Sequence, residues 1–376
     1  MNSRERVNLA INHKQPDKVP ISLGAHICDS FTKHAKDNYE SYLKLDVTTH
    51  VVTHKAMGSV ATPAKIMEMF ELDFRTIRLK APENDPTIIM EDGSFIDEMG
   101  CRWKPCEYYY DIVERPLTGD ITEKDIMNSK WPDPYDPGRT LGLKEEAKSL
   151  HENTGYAIVA DFACGGPFET ALFVRGWEDF LCDLYADPVL AEALMDKITE
   201  IDMQLWDAFL TEAGDYVDVI CFGDDLAMQD RPIISVDIYK KYIKKYHKRL
   251  YSFVKTKTKA KVFQHCCGSV YDLIPDLIEA GVEILNPIQT SAKNMEPERL
   301  KKEYGKDIIF WGGFDIQKVL PFGTPQQIED EVKRLMDVLG KDGGYVFAPG
   351  HNIQPLVPAE NIDIMYKTAL KYRNCL

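Results

Sequence analysis

The chain has 376 residues, 44% of them hydrophobic, which is enough for two ordinary domains or for one barrel of roughly 250 residues with additions. Its 60 acidic and 45 basic residues leave a formal charge of −15, which excludes the basic face of a general nucleic-acid binder and disfavours an anionic membrane surface. The charged start Met1-Asn2-Ser3-Arg4-Glu5-Arg6 leads into no apolar run, no stretch nears the ~20 apolar residues of a membrane span, and the nine Cys follow no small-domain framework, so the expectation is a cytoplasmic protein with reduced thiols.

Taken in chain order, residues 4–13 predict a short helix, an N-terminal extension that ends before the Pro-rich turn 14–20. Residues 19–24 are the first strand candidate, and helical patterns follow over 30–45 and 62–70. The stretch 87–117 alternates short runs with turns and carries Tyr108-Tyr109-Tyr110, which suits packing. It predicts a β-hairpin excursion that could serve a homodimer. Residues 131–142, with three Pro and two Gly, predict a loop. Beyond residue 155 the rhythm is regular. Strands at 156–162, 217–222, 261–265, 282–285, 307–311 and 345–348 alternate with helices at 169–184 and 188–212, 236–255, 270–280, 296–304, 325–339 and 358–372. Strands alternating with helices give βαβ units and a parallel sheet. Six units, with two candidate strands in the first half, predict a single (β/α)8 TIM barrel over 1–376, with 87–117 inserted. The Lys-rich segment 240–248 suits the solvated face of a helix.

In such a barrel the chemistry sits at the carboxyl ends of the strands. Those ends collect polar groups and glycines: His26-Ile27-Cys28-Asp29, Asp161 before Gly165-Gly166-Pro167, Asp224-Asp225, His265-Cys266-Cys267-Gly268, Asn286 with Gln289, and Gly350-His351. Residues i and i+2 of a strand share a face, so His265 and Cys267 can address one ion while Cys266 points away. Catalytic zinc takes three protein ligands and an open position. His351 is the candidate third ligand, and a general acid–base role is its alternative. His26 and Cys28 repeat the His-x-Cys spacing and compete for that role; a pocket-wall or substrate contact is the preferred reading of both. Of Asp224 and Asp225 one enters the pocket and the other caps a loop, with Asp225 the candidate catalytic acid or base. Asp161, Asp224, Asn286 and Gln289 are candidate substrate contacts. Gly165-Gly166-Pro167 reads as a tight turn into a helix, without phosphate-binding spacing. A zinc ion in a thiolate-bearing site can lower the pKa of a bound thiol or act as a Lewis acid on an ether or alcohol oxygen. Both roles fit methyl transfer.

At these residues the chain resembles the uroporphyrinogen decarboxylase superfamily, and within it the zinc-dependent, corrinoid-linked methyltransferase branch. The resemblance runs from Arg4-Glu5-Arg6 and Pro16-Asp17-Lys18-Val19-Pro20, through Gly165-Gly166-Pro167-Phe168 and Gly223-Asp224-Asp225-Leu226, to Pro349-Gly350-His351-Asn352-Ile353 and Pro358-Ala359-Glu360-Asn361. It implies a (β/α)8 barrel and two zinc ligands in a His-x-Cys-Gly element, matched by His265, Cys267 and Gly268. In that branch the third ligand is typically a Cys near the last strand, where this chain has His351. The decarboxylase itself carries an Arg-rich segment after its first strand and lacks the zinc element, whereas His26-Ile27-Cys28-Asp29-Ser30 holds no Arg. A Gly-His near the last strand is decarboxylase-like, so Gly350-His351 does not discriminate. The resemblance implies a methyltransferase moving a methyl group between a small donor, such as a methoxylated compound, or a thiol, such as coenzyme M or homocysteine, and a corrinoid cobalt. No cobalamin-binding Asp-x-His-x-x-Gly occurs in the chain, so the corrinoid would ride on a partner protein. The donor-demethylating direction is favoured. The rivals are a zinc-free lyase acting on a carboxylate substrate and a non-catalytic barrel that binds a corrinoid protein.

Overall fold

The computed structural model describes residues 1–373. Seven strands form one parallel sheet: β1 (Phe74–Ile77), β2 (Ala157–Ala160), β3 (Val219–Gly223), β4 (Lys261–His265), β5 (Ile284–Asn286), β6 (Ile309–Trp311) and β7 (Tyr345–Val346). They are hydrogen-bonded in sequence order. The expected first strand at 19–24 contracts to a single rung, Ile21 paired in parallel with Phe347. Ser22 N–H donates to the Phe347 carbonyl and Phe347 N–H to that of Pro20, both at 2.9 Å. On the other side Asp73 N–H donates to Ile21 O at 3.1 Å, so this short segment joins the two edges of the sheet. Pro20 has no N–H to extend the ladder, and Gly24 turns the chain away at φ +87°. Phe74–Ile77 is the second first-half strand. Its four residues carry Arg75 on the outer face, where the guanidinium lies 3.5 Å from the Tyr156 ring centroid, and the segment reads as polar.

Alternation along each strand sorts the side chains into two cores. Phe74, Ala157, Val159, Val219, Cys221, Phe263, Ile284, Ile309, Trp311, Val346 and Ala348 point inward and form one cluster with Val7 and Ile11. The helix Ser3–Ala10 therefore closes the amino-terminal end of the barrel, fixed by a capping box between Asn2 and Glu5. Ile77, Ile158, Ile220, Val262, Leu285 and Phe310 point outward and pack against the helices. Apart from Arg75 of β1 and Gln264 of β4, the two faces are mainly apolar, as a sheet buried on both sides requires. The expected helix at 169–184 is two, Pro167–Arg175 and Trp177–Ala186, parted at Gly176. The helix at 236–255 contains a π-helical turn over Tyr239–Ile243.

Residues 88–114 form a four-stranded antiparallel sheet with its strands in sequence order. It packs on the barrel through Trp103 against Phe173, with ring centroids 5.8 Å apart. Tyr109 Oη donates to Gln354 Oε1 in the loop after β7. Among the described residues no helix is long and apolar enough to cross a membrane.

Candidate metal centre

The inward faces of the strands end in polar residues at the carboxyl-terminal mouth. Phe263 and His265 share the inner face of β4, and the parallel register sets His265 beside Asn286 of β5. His265 Nδ1 lies 2.6 Å from Asn286 Oδ1. The orientation of that amide is fixed at its other end, where Nδ2 donates to the Trp311 carbonyl at 3.2 Å, a group that can only accept. Nδ1 of His265 therefore carries the proton, and the lone pair of the neutral ring lies on Nε2. Cys267 Sγ is 3.3 Å from that nitrogen.

The turn after β4 is held by its own backbone. Cys267 N–H donates to Asp225 Oδ1 at 2.7 Å and Gly268 N–H to Gln289 Oε1 at 2.8 Å. Gly268 adopts φ +90°, and a Cβ there would meet the carbonyl oxygens of Met228 and Ala227 at 2.5 and 2.7 Å. Only glycine passes this point unstrained.

Two sets of three donor atoms each lie within 4.8 Å of one another: Cys28 with His265 and His351, and Asp225 with His265 and Cys267. His265 belongs to both. Burial, then Asp225, pushes the Cys267 thiol well above its ordinary range. Burial, then Asp225 and Asp161, does the same to Cys28. Glu169 is pushed well up by burial, then by Asp225 and Asp224. Thiols and carboxylates buried together repel in their charged forms, and a cation among them reverses that penalty. An imidazole lone pair, two thiols and a carboxylate are also donors that zinc takes. The residues present fit the ion.

The expected ligands and contacts are placed as follows. His351 lies with its ring 5.3 Å from that of His265. The expected set of His265, Cys267 and His351 is not brought within one 4.8 Å group, because His351 joins His265 with Cys28 instead. Burial, then His265 and His54, pushes His351 down to about 3, so its ring is neutral. His26 is fully buried, 6.3 Å from His265 by ring centroids and packed 4.7 Å from Phe263. It forms part of the floor beneath the site.

Asp224 does not meet the expectation of a substrate contact. Its carboxylate accepts from Phe168 and Glu169 N–H at 3.0 and 2.6 Å, and Nε2 of His247 stands 2.8 Å away. It caps the helix that follows Gly165-Gly166, whereas Asp225 turns to the site. Asn286 is likewise held by His265 and Trp311. Asp161 accepts from Ile27 and Phe162 N–H at 3.1 and 3.0 Å and from Arg78 Nε at 2.7 Å. Gln289 lines a cavity of about 300 Å³ together with Cys267, His351, Met228, Ile288 and Phe314.

Sequence reasoning passed over Glu169 and His54. Glu169 reads as an ordinary acidic residue in a first helical turn. His54 lies in a polar stretch with no catalytic spacing, and its Nδ1 accepts from Met57 N–H at 3.2 Å.

A family model described as Uroporphyrinogen decarboxylase (URO-D) matches residues 94–372. A uroporphyrinogen decarboxylase from Geobacter sulfurreducens is 24% identical over 259 residues, 66% of this chain and 69% of that protein. The uroporphyrinogen decarboxylase of Citrifermentans bemidjiense is 27% identical over 209 residues, 54% of this chain and 56% of its own length. A methylated-thiol–coenzyme M methyltransferase from Methanosarcina mazei is 22% identical over 263 residues, 68% of this chain and 67% of that one. Among solved structures, a methyltransferase from Methanosarcina mazei aligns over 99% of both chains with a TM-score of 0.67 and 20% identity, which is a likeness of fold.

Proposed function

This chain belongs to the uroporphyrinogen decarboxylase family, and we propose that within it the protein is a zinc-dependent methyltransferase. The methyl group would pass between a small donor or thiol and the cobalt of a corrinoid carried by a separate protein. The observation that carries this reading is the free Nε2 of His265, turned by Asn286 toward Cys267 Sγ at 3.3 Å in the wall of a cavity. The likeness to two methyltransferases supports it.

His265 and Cys267 would hold the ion, with the third ligand drawn from Cys28, Asp225 and His351. Zinc bound there would supply Lewis acidity, lowering the pKa of a bound thiol or polarising the oxygen of a methoxyl group. The protein's own groups do the rest. Asn286 fixes the His265 tautomer, as the hydrogen-bond partner of a ligating imidazole does. Asp225 and Gln289 pin the Cys267–Gly268 turn through its N–H groups. Met228, Ile288 and Phe314 give the cavity an apolar wall that keeps water from the transferring methyl group. The carboxyl of Glu169 is pushed up by burial, then by Asp225 and Asp224, so its charge is set by what the neighbouring carboxylates bind.

Metal analysis by elemental mass spectrometry of protein purified without added metal tests the reading. About one zinc per chain is the expected result. Transfer is then read as methylcobalamin formed from free cob(I)alamin and a panel of methoxylated aromatics and methyl thioethers. A folded, metal-free protein that cannot take up zinc would sink it. The decarboxylase names of the first two relatives favour a second reading, a lyase acting on a carboxylate substrate without zinc. That reading expects carbon dioxide release that survives Cys267→Ala.

A further inference from the structure

Four histidines surround the site: His26, His54, His265 and His351. A neutral imidazole has one lone pair and one N–H. Where a backbone N–H points at one ring nitrogen, that nitrogen must accept, and the proton sits on the other. This argument needs no observed hydrogen, because the partner can only donate.

Three of the four rings are decided in this way. Asn352 N–H donates to His351 Nδ1 at 2.8 Å. Cys28 N–H donates to His26 Nδ1 at 3.3 Å, and Met57 N–H to His54 Nδ1 at 3.2 Å. Each of these rings therefore carries its proton on Nε2 and has no lone pair left for an ion. His265 alone is set the other way, with Nδ1 donating to Asn286 and Nε2 free.

From this we infer that Cys28, and not His351, is the third zinc ligand beside His265 and Cys267. Cys28 and Cys267 each lie within 4.8 Å of His265, in two groups that share that ring, the one with His351 and the other with Asp225, and a thiol has no such tautomer restriction. It stands on the segment after the Ile21 rung, which pairs with Phe347 just before His351, so the ligand comes from the neighbouring strand position. Asp225 is the competitor, since it shares a donor group with His265 and Cys267, but a carboxylate is a harder donor than a thiolate, and soft thiolates select zinc. His351 is left with an Nε2–H at the cavity, a donor rather than a ligand.

The inference rests on the zinc reading above, and its test separates the two. The full-length protein, wild type and with Cys28→Ser, Cys28→Ala or His351→Gln, is stripped with chelator and reloaded with Co(II). Zinc content is measured alongside by elemental mass spectrometry. Near-ultraviolet sulfur-to-cobalt charge transfer counts thiolate ligands. The expected result is two thiolates in the wild type, about half that intensity per cobalt in either Cys28 variant, and full intensity with His351→Gln. Circular dichroism confirms that each variant is folded, and Cys28→Ser covers a failure of the alanine to fold. Full intensity in the folded Cys28 variants, or loss of metal in a folded His351→Gln, overturns the assignment of Cys28 and leaves the zinc reading standing. A wild type that takes neither zinc nor cobalt overturns both.

Discussion

The chain carries the same three-residue spacing twice, His26-x-Cys28 and His265-x-Cys267, and the structure treats the two in opposite ways. In the second, the ring donates to an amide oxygen on the next strand and presents its lone pair to the cysteine two residues on. In the first, the ring accepts from the backbone N–H of its own cysteine. Its Nε2 makes no hydrogen bond and lies 3.7 Å from the buried Asp29 carboxylate. Spacing puts an imidazole and a thiol on one side of the chain, but the partner of Nδ1 decides whether that imidazole can bind a metal. In the first pair the thiol alone is useful, and in the second both groups are.

The sharpest way to break this comparison is to make the same change in both halves. His265→Gln is expected to abolish zinc binding, and methyl transfer should fall by at least ~10³-fold, the scale of losing a Lewis acid worth several kcal/mol. His26→Gln should keep full zinc content, because that ring has no lone pair to give. Equal loss in the two, measured as zinc per folded chain, would erase the distinction.

A smaller effect tests its cause. Asn286→Leu removes the acceptor that holds the His265 tautomer and should weaken zinc by about 10–100-fold, the usual cost of losing the hydrogen-bond partner of a ligating histidine. Asn286→Asp keeps an acceptor in the same place and should bind zinc at least as tightly as the wild type. Competition with a chromogenic chelator reads both. Asn286→Leu binding as tightly as the wild type would show that Asn286 does not control the ring.

These two positions also mark how far the sequence alone carries. The rhythm of strands and helices beyond residue 155 was legible because most strands there are buried on both faces and read as short, mainly apolar runs. Phe74–Ile77 was not, since its outer face uses Arg75 stacked on Tyr156 in place of an aliphatic side chain. The first strand was overestimated because its polar and glycine neighbours look like any strand end, whereas only Ile21 makes a parallel rung. His265 and Cys267 were legible from their two-residue spacing. The role of Asn286 needs the register of β4 against β5. The tautomer of His351 is set by the main chain of the next residue, which no side-chain pattern records. The capping by Asp224 of a helix from a neighbouring unit is a contact between distant segments and leaves no local trace.

The smallest expected effect concerns pH, and it follows from the histidines that are not ligands. Burial first, then the neighbouring His265 and His351, pushes His26 well below its ordinary value of 6.5. The folded protein thus refuses a proton that the unfolded chain accepts. Stability from this group is fully present above pH 6.5 and is lost as the pH falls below it, since the unfolded state then binds more protons. In metal-free protein kept with chelator, thermal unfolding at pH 7 and at about pH 5 should therefore differ more in the wild type than in His26→Gln. The expected result is a larger fall in Tm between the two pH values in the wild type than in the variant. The variant also loses the Cys28 N–H bond and the ring contact with Phe263, a cost that is the same at both pH values and drops out of the comparison. Parallel pH profiles in the two proteins would mean that His26 takes up its proton in the fold, and the contrast between the two His-x-Cys pairs would then lie in position alone.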